Sequence, residues 1–122
     1  MGAVLNDDTI PAVKARVVAG GANNQLLDEE RHGDALEQAG IVYAPDFIVN
    51  CGGVINVADQ LEPSGYSEAR AEARCRRVYD TTDRVLAIAK RDGISTAMAA
   101  NRYAEERIAA IQRVHLTMRG RG

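Results

Sequence analysis

The sequence predicts an α/β fold: short parallel strands first, then three long helices. Short β-branched runs bounded by glycine and proline recur up to Pro45, and helical periodicity takes over at Asp46 and persists. Aromatic residues make up only 4% of the chain while alanine is abundant, so the core must consist of aliphatic contacts and closely packed alanine-bearing helices.

Gly2-Ala3-Val4-Leu5 reads as the end of a strand, and Asn6 to Pro11 as a helix start. Arg16-Val17-Val18-Ala19 is a strand closed by Gly20-Gly21. Asp28 to Ala39 is a helix with acids in its first turn, where the helix dipole favours them, and Gly40 as its stop. Ile41-Val42-Tyr43-Ala44 is a second strand, closed by Pro45. Both strands are expected to be buried and parallel, so the unit is βαβ. In the first long helix Phe47, Cys51, Val54, Ile55, Ala58 and Leu61 recur at helical spacing. After a break at Glu62-Pro63-Ser64-Gly65, the second runs from about Ser67 to Lys90, with Cys75, Val78, Tyr79, Thr82, Val85, Leu86 and Ala89 on one face. The third follows Asp92-Gly93, from Thr96 to about Val114, and carries Ala100, Tyr103 or Ala104, Ile108 and Ile111 inward. Residues 1–45 thus form the strand-helix-strand part of a domain, 46–116 its helical part, and 117–122 an Arg- and Gly-rich frayed tail.

Length and charge narrow the function classes. The 122 residues fit one small domain, and 15 Lys+Arg against 17 Asp+Glu argue against a nucleic-acid-binding protein. No apolar run is long enough for a membrane span and the start lacks a signal-peptide pattern, so a cytoplasmic location is expected. Cys51 and Cys75 are too far apart for a CxxC motif and are expected to be free, buried thiols. A parallel sheet of two or three strands is rarely found alone. The chain therefore reads as the later half of an open sheet.

Two stretches could carry chemistry. Gly20-Gly21-Ala22-Asn23-Asn24-Gln25 follows the first strand, at the end where open α/β sheets bind ligands. It is not GxGxxG, and a plain turn is the simpler account on spacing alone. In Asn50-Cys51-Gly52-Gly53-Val54-Ile55-Asn56-Val57, helical spacing sets Asn50, Val54 and Val57 on a common face. The glycine pair costs about 1 kcal/mol each relative to alanine. That suggests close approach by a ligand or another backbone, with a helix kink as the alternative. His32 and His115 have no partners at metal-ligand spacing and are expected to be solvated, and no metal site is expected. Arg70, Arg74, Arg76 and Arg77 alternate with Glu68, Glu72 and Asp80 and are expected to form a solvated, self-paired face.

Gly2 to Asp7, Ala19 to Leu26, Arg31-His32-Gly33-Asp34, Gly40 to Asp46, Asn50 to Asp59 and Ala104 to Ile108 together closely resemble the C-terminal portion of the Glu/Leu/Phe/Val dehydrogenase family, its leucine dehydrogenases above all. The resemblance covers nearly the whole chain in order. It implies the C-terminal part of a Rossmann-like NAD-binding domain, and oxidative deamination of an L-amino acid to a 2-oxo acid and ammonia with NAD as hydride acceptor. By position, Ala22 and Asn23 would lie beside the nicotinamide ribose and Asn50 near the nicotinamide and the reacting end of the substrate. Val54 and Val57 would line the side-chain pocket. Where the glutamate enzymes usually place a serine, this chain has Val57, which implies leucine, valine or isoleucine. The family's catalytic lysines and glycine-rich fingerprint have no counterpart here, since neither Lys14 nor Lys90 follows a glycine pair. No catalytic residue is therefore assigned, and the chain alone is expected to be inactive. The alternative is a non-catalytic binding or assembly module whose sheet edge pairs with a partner or a second copy.

Overall fold

The computed structural model describes residues 2–119. Val17–Val18 (β1) pairs in parallel with Val42–Tyr43 (β2), Val17 opposite Val42 and Val18 opposite Tyr43. Between them lies α1 (Glu29–Gln38), whose first turn is capped by the Asp28 side chain accepting from the Arg31 N–H. Gly40 stops the chain there at φ +70°, a left-handed conformation open to glycine. The expected βαβ unit is present with shorter strands.

The expectation that both strands are buried holds for one face only. Tyr43 is 3% exposed, but Val17 and Val42 are 60% and 44% exposed. Successive strand residues point to opposite faces, and the helices of this chain cover one face. Leu5 does pair as expected, making a parallel bridge to Leu26. The predicted helix start after it yields only a 3-10 turn, Ile10–Ala12. Asn6 Oδ1 accepts from the Asp8 and Thr9 N–H groups at 3.0 and 3.1 Å, diverting the backbone into a turn.

The first long helix is broken in two: α2 (Asp46–Val49) and α3 (Gly52–Gln60), with Asn50 and Cys51 between them. Its predicted inward face is largely outward, with Phe47 46%, Val54 72% and Leu61 81% exposed. Ile48 and Asp59 are buried instead, because only the flank of α3 toward the next helix has a partner. That helix, α4 (Glu68–Asp92), is capped by Ser67 and ends at Gly93, φ +62°. It packs through Val78, Val85 and Ala89. Tyr79 and Cys75 are exposed rather than inward, since α5 follows the Val78–Val85–Ala89 line. Both cysteines are free, but Cys51 is only partly buried, so the expectation of buried thiols fails for each.

Helix α5 (Thr96–Arg119) returns along α4. Ala97, Ala99 and Ala100 are buried, while Ile108 and Ile111 are 56% and 52% exposed because the later turns run past the body of the fold. The expected tail boundary at Thr117 falls in the last turn of α5, and 120–122 lie outside the described residues. The start of α5 serves both cores. Ala97 packs with Leu5, Ile10, Leu26, Leu36, Ile41 and Tyr43, whereas Ala99 and Ala100 pack with Ile48, Val85 and Ala89. Among the described residues, no helix is long and apolar enough to cross a membrane.

Close approach of α1 to α5 depends on Gly33. A Cβ there would stand 3.0 Å from Ser95 Oγ and 3.1 Å from Ala97 Cβ. Gly33→Val should therefore destabilise the chain by about 1–3 kcal/mol through overpacking. Urea unfolding followed by circular dichroism checks this; an unchanged midpoint would contradict the tight α1–α5 contact.

Candidate functional site

The carboxyl ends of β1 and β2 open onto two segments, the loop 19–25 and the start of α2. Glycine and asparagine shape the loop. The Gln25 side chain folds back to donate to the carbonyls of Gly20 (3.0 Å) and Ala22 (2.9 Å). A Cβ on Gly20 would come within 2.9 Å of Gln25 Nε2, so the fold-back requires glycine there. Asn24 adopts φ +53°, a conformation asparagine tolerates better than most residues.

Asp46 ties this loop to the helix. Its Oδ2 accepts from the Gln25 N–H at 3.0 Å, and its Oδ1 accepts from the Phe47 N–H at 2.7 Å. Beside it the buried Tyr43 hydroxyl is pushed up to about 12 by burial and, secondly, by the negative charge of Asp46. It stays protonated at neutral pH.

This arrangement brings Asn23 and Asn50 together: Asn50 Nδ2 donates to Asn23 Oδ1 at 2.6 Å. Ala22 is exposed on the same loop. Val54 and Val57 share a face of α3, are 72% and 57% exposed, and belong to neither core cluster of the described residues. Asn50, however, does not continue that face by helical spacing, because the break at Asn50–Cys51 separates it from α3. Its position is set by α2, through the Asn50 N–H donating to the Asp46 carbonyl at 2.8 Å. A Cβ on Gly52 or Gly53 would meet nothing within 4 Å, and neither has positive φ. Contacts among the described residues therefore do not require these glycines.

The orientation of α3 depends on Asp59, which is fully buried. It accepts from Arg70 Nε at 2.5 Å, Arg70 Nη2 at 3.0 Å, Arg74 Nη1 at 3.3 Å and the Ser67 N–H at 2.7 Å. Arg74 also pairs with Glu62 at 2.5 Å. The Arg70 guanidinium hydrogen bond, followed by the Ser67 N–H and the charges of Arg70 and Arg74, outweighs burial and holds the Asp59 carboxyl below its usual range. The expected self-paired arginine face is thus only partly present. Arg76 pairs with Glu72 on its own helix, but Arg70 and Arg74 cross to α3 and the following loop because Asp59 needs them there.

His32 is buried rather than solvated. Its Nδ1 accepts from the Asp28 N–H at 2.9 Å, and Nε2 lies 3.4 Å from Asp7 Oδ1, where the Asn6–Thr9 turn closes over α1. The side chain of His115 lies outside the described residues. Among the described residues no three His, Cys, Asp or Glu side chains gather as a metal site. Gln25, Asp46 and Asp59 were not singled out from the sequence. Pro-Asp at a helix start hinted at Asp46, but no local pattern announces a carboxylate that pins a loop or a second helix.

Two strand ends facing a loop and a helix start, with paired amides between them, are the arrangement of an α/β fold at the carboxyl ends of its parallel strands. The sequence model of the Glutamate/Leucine/Phenylalanine/Valine dehydrogenase family matches residues 2–122, and the chain belongs to this family. It is 57% identical over 112 residues to a leucine dehydrogenase of Bacillus cereus, covering 92% of this chain and 30% of that one. A valine dehydrogenase of Streptomyces coelicolor is 50% identical over 109 residues, covering 89% of this chain and 29% of that one. The crystal structure of L-tryptophan dehydrogenase from Nostoc punctiforme superposes with a TM-score of 0.85 at 42% identity, covering 93% of this chain and 33% of that one. The chain thus spans about 30% of the length of the curated relatives it matches.

Because Asp59 is held below its ordinary value, its contribution to stability is present above about pH 4 and lost as pH falls through the lowered folded value. Asp59→Asn should lower Tm at neutral pH, and the gap to the unsubstituted chain should narrow on acidification. Thermal melts across pH check this; a pH-independent gap would contradict the ionised latch.

Proposed function

We propose that this chain is the nicotinamide-side wall and aliphatic pocket of an NAD-dependent branched-chain L-amino acid dehydrogenase. The reading is carried by the Asn50–Asn23 hydrogen bond at the carboxyl ends of the parallel strands, beside an outward aliphatic face on α3. Asn23 Nδ2 and Asn50 Oδ1 have no partner among the described residues, so the pair offers one donor and one acceptor to a carboxamide or a ribose hydroxyl. The open side of Gly52 and Gly53 admits a ligand or backbone from outside the chain. These groups fit the nicotinamide half of the cofactor, which supplies the hydride acceptor when bound.

Within that reading, Ala22 and Asn23 border the ribose and Asn50 orients the nicotinamide against the substrate's reacting carbon. Val54 and Val57 hold an aliphatic side chain. Burying it gains about 0.8 kcal/mol per CH₂, while an acidic side chain would lose its hydration and find no partner. Holding the reactants in register is a large part of such catalysis. Proton transfer falls outside what these residues provide: Lys14 precedes β1 and Lys90 lies near the end of α4, both away from the elements that carry the site. The exposed apolar faces of α3 and the β1–β2 pair are contact surfaces for the remainder of an active enzyme.

In a ¹H–¹⁵N titration with NAD, shifts should centre on Ala22, Asn23 and Asn50, and Asn50→Ala should weaken binding roughly tenfold, the equivalent of about 1.4 kcal/mol. Shifts confined to other surfaces would overturn the assignment. Separately, the purified chain should produce no leucine-dependent NADH. Absorbance at the NADH band above the enzyme-free rate would show that the chain holds its own proton acceptor.

A further inference from the structure

Where the loop after β1 meets the starts of α1, α2 and α5 lies a small polar cavity of about 50 Å³. Gln25, Glu29, Tyr43, Asp46, Phe47 and Ala97 are among the residues that line it. Its inner wall is closed, with Tyr43 3% exposed and Asp46 buried, and Glu29 stands exposed at its mouth.

The polar groups of this cavity do not satisfy one another. As carboxylates, Asp46 and Glu29 offer only acceptors. Each oxygen of Asp46 accepts one backbone N–H, and Glu29 Oε2 accepts from Asn101 Nδ2 at 2.9 Å, so both side chains keep acceptor capacity. The Tyr43 hydroxyl accepts from the Asp46 N–H at 3.4 Å but donates to none of the described residues. Burial, then the charges of Asp46 and Glu29, keep its proton on the oxygen. A buried hydroxyl donor needs an acceptor, and neither carboxylate takes its proton directly. A molecule that accepts one hydrogen bond and donates two completes the set, and water is that molecule. One water needs roughly 10–15 Å³, so the cavity has room for it.

We propose that this cavity binds an ordered water that accepts from Tyr43 Oη–H and donates to the carboxylates of Asp46 and Glu29, making Tyr43 a positioning residue for the loop 19–25. The water ties β2 and the start of α1 to the carboxylate that holds Gln25. A bridge of this kind is nearly as favourable as a direct hydrogen bond. Its bearing on cofactor binding rests on the dehydrogenase reading; the water site itself does not, and its test uses no NAD.

The test is a high-resolution crystal structure of the full chain, of Tyr43→Phe, and of the full chain soaked in rubidium chloride. Phenylalanine keeps the ring in its core of Leu26, Leu36 and Ala97 and removes only the donor. A water within hydrogen-bond distance of Tyr43 Oη and Asp46 is expected, without anomalous signal from rubidium, and it should be lost in Tyr43→Phe. In solution, water-to-amide cross-relaxation at Gln25 and Phe47 should report a long-lived water that Tyr43→Phe removes. The side-chain amide resonances of Asn23 and Asn50 should move in Tyr43→Phe and stay in place in Tyr79→Phe, whose ring is exposed on α4. If Tyr43→Phe does not fold, Glu29→Ala removes one acceptor at the mouth and should shorten the residence of the water roughly tenfold. A direct Tyr43–carboxylate hydrogen bond, rubidium in the cavity, a water unchanged in both variants, or unmoved Asn23 and Asn50 resonances in Tyr43→Phe would each overturn the proposal.

Discussion

The carboxylate of Asp46 joins the two halves of the βαβ unit at the point where its strands end. One oxygen accepts from the backbone of Gln25, the last residue of the loop after β1, and the other accepts from the adjacent Phe47 N–H in the first turn of α2 after β2. Both strands are only two residues long, so ladder hydrogen bonds alone fix little of the geometry beyond them. The carboxylate extends that geometry by a side chain. With the loop held at Gln25, and Gln25 in turn holding the carbonyls of Gly20 and Ala22, Asn23 is presented to Asn50.

A second carboxylate does the same for the helices. Asp59 lies where α3 ends and α4 begins, and its two arginines come from α4. A buried carboxylate is tolerated only if its charge and lone pairs are met, and here two guanidinium groups and the Ser67 N–H meet them. The consequence is directional: α3 is anchored at its C-terminal end while its N-terminal glycines and its valine face stay clear of the rest of the chain. A helix held at one end and one flank keeps its other face available.

Much of the architecture was legible in residue types. Asp28 and the following acids marked the start of α1, Gly40 and Gly93 marked stops that need positive φ, and the scarcity of aromatics foretold the alanine contacts of α5. Burial was less legible. Periodicity reports that a face is apolar, not whether this chain supplies its cover, so Val54, Leu61, Ile108 and Ile111 read as core and are exposed. His32 failed in the opposite sense. Its burial comes from a turn at Asn6–Thr9 that folds over α1 from more than twenty residues away. The candidate residues Asn23 and Asn50 were visible as motifs, whereas Gln25, Asp46 and Asp59 act through long-range hydrogen bonds that spacing does not encode.

The break between α2 and α3 changes how the candidate residues relate to each other. Had Asn50, Val54 and Val57 shared one continuous helix, any shift of that helix would move amide and methyl groups together. Instead Asn50 belongs to the end of α2, fixed by Asp46 and the strand, while Val54 and Val57 ride on α3, fixed by Asp59 and α4. The glycine pair sits at the junction. The amide pair and the Val54–Val57 face are therefore set by separate anchors, so α3 can shift without disturbing the Asn23–Asn50 contact. Relatives named for leucine, valine and tryptophan share the region this chain spans, and on the function proposed above a scaffold that anchors the amide pair apart from the valine face is physically suited to such variation.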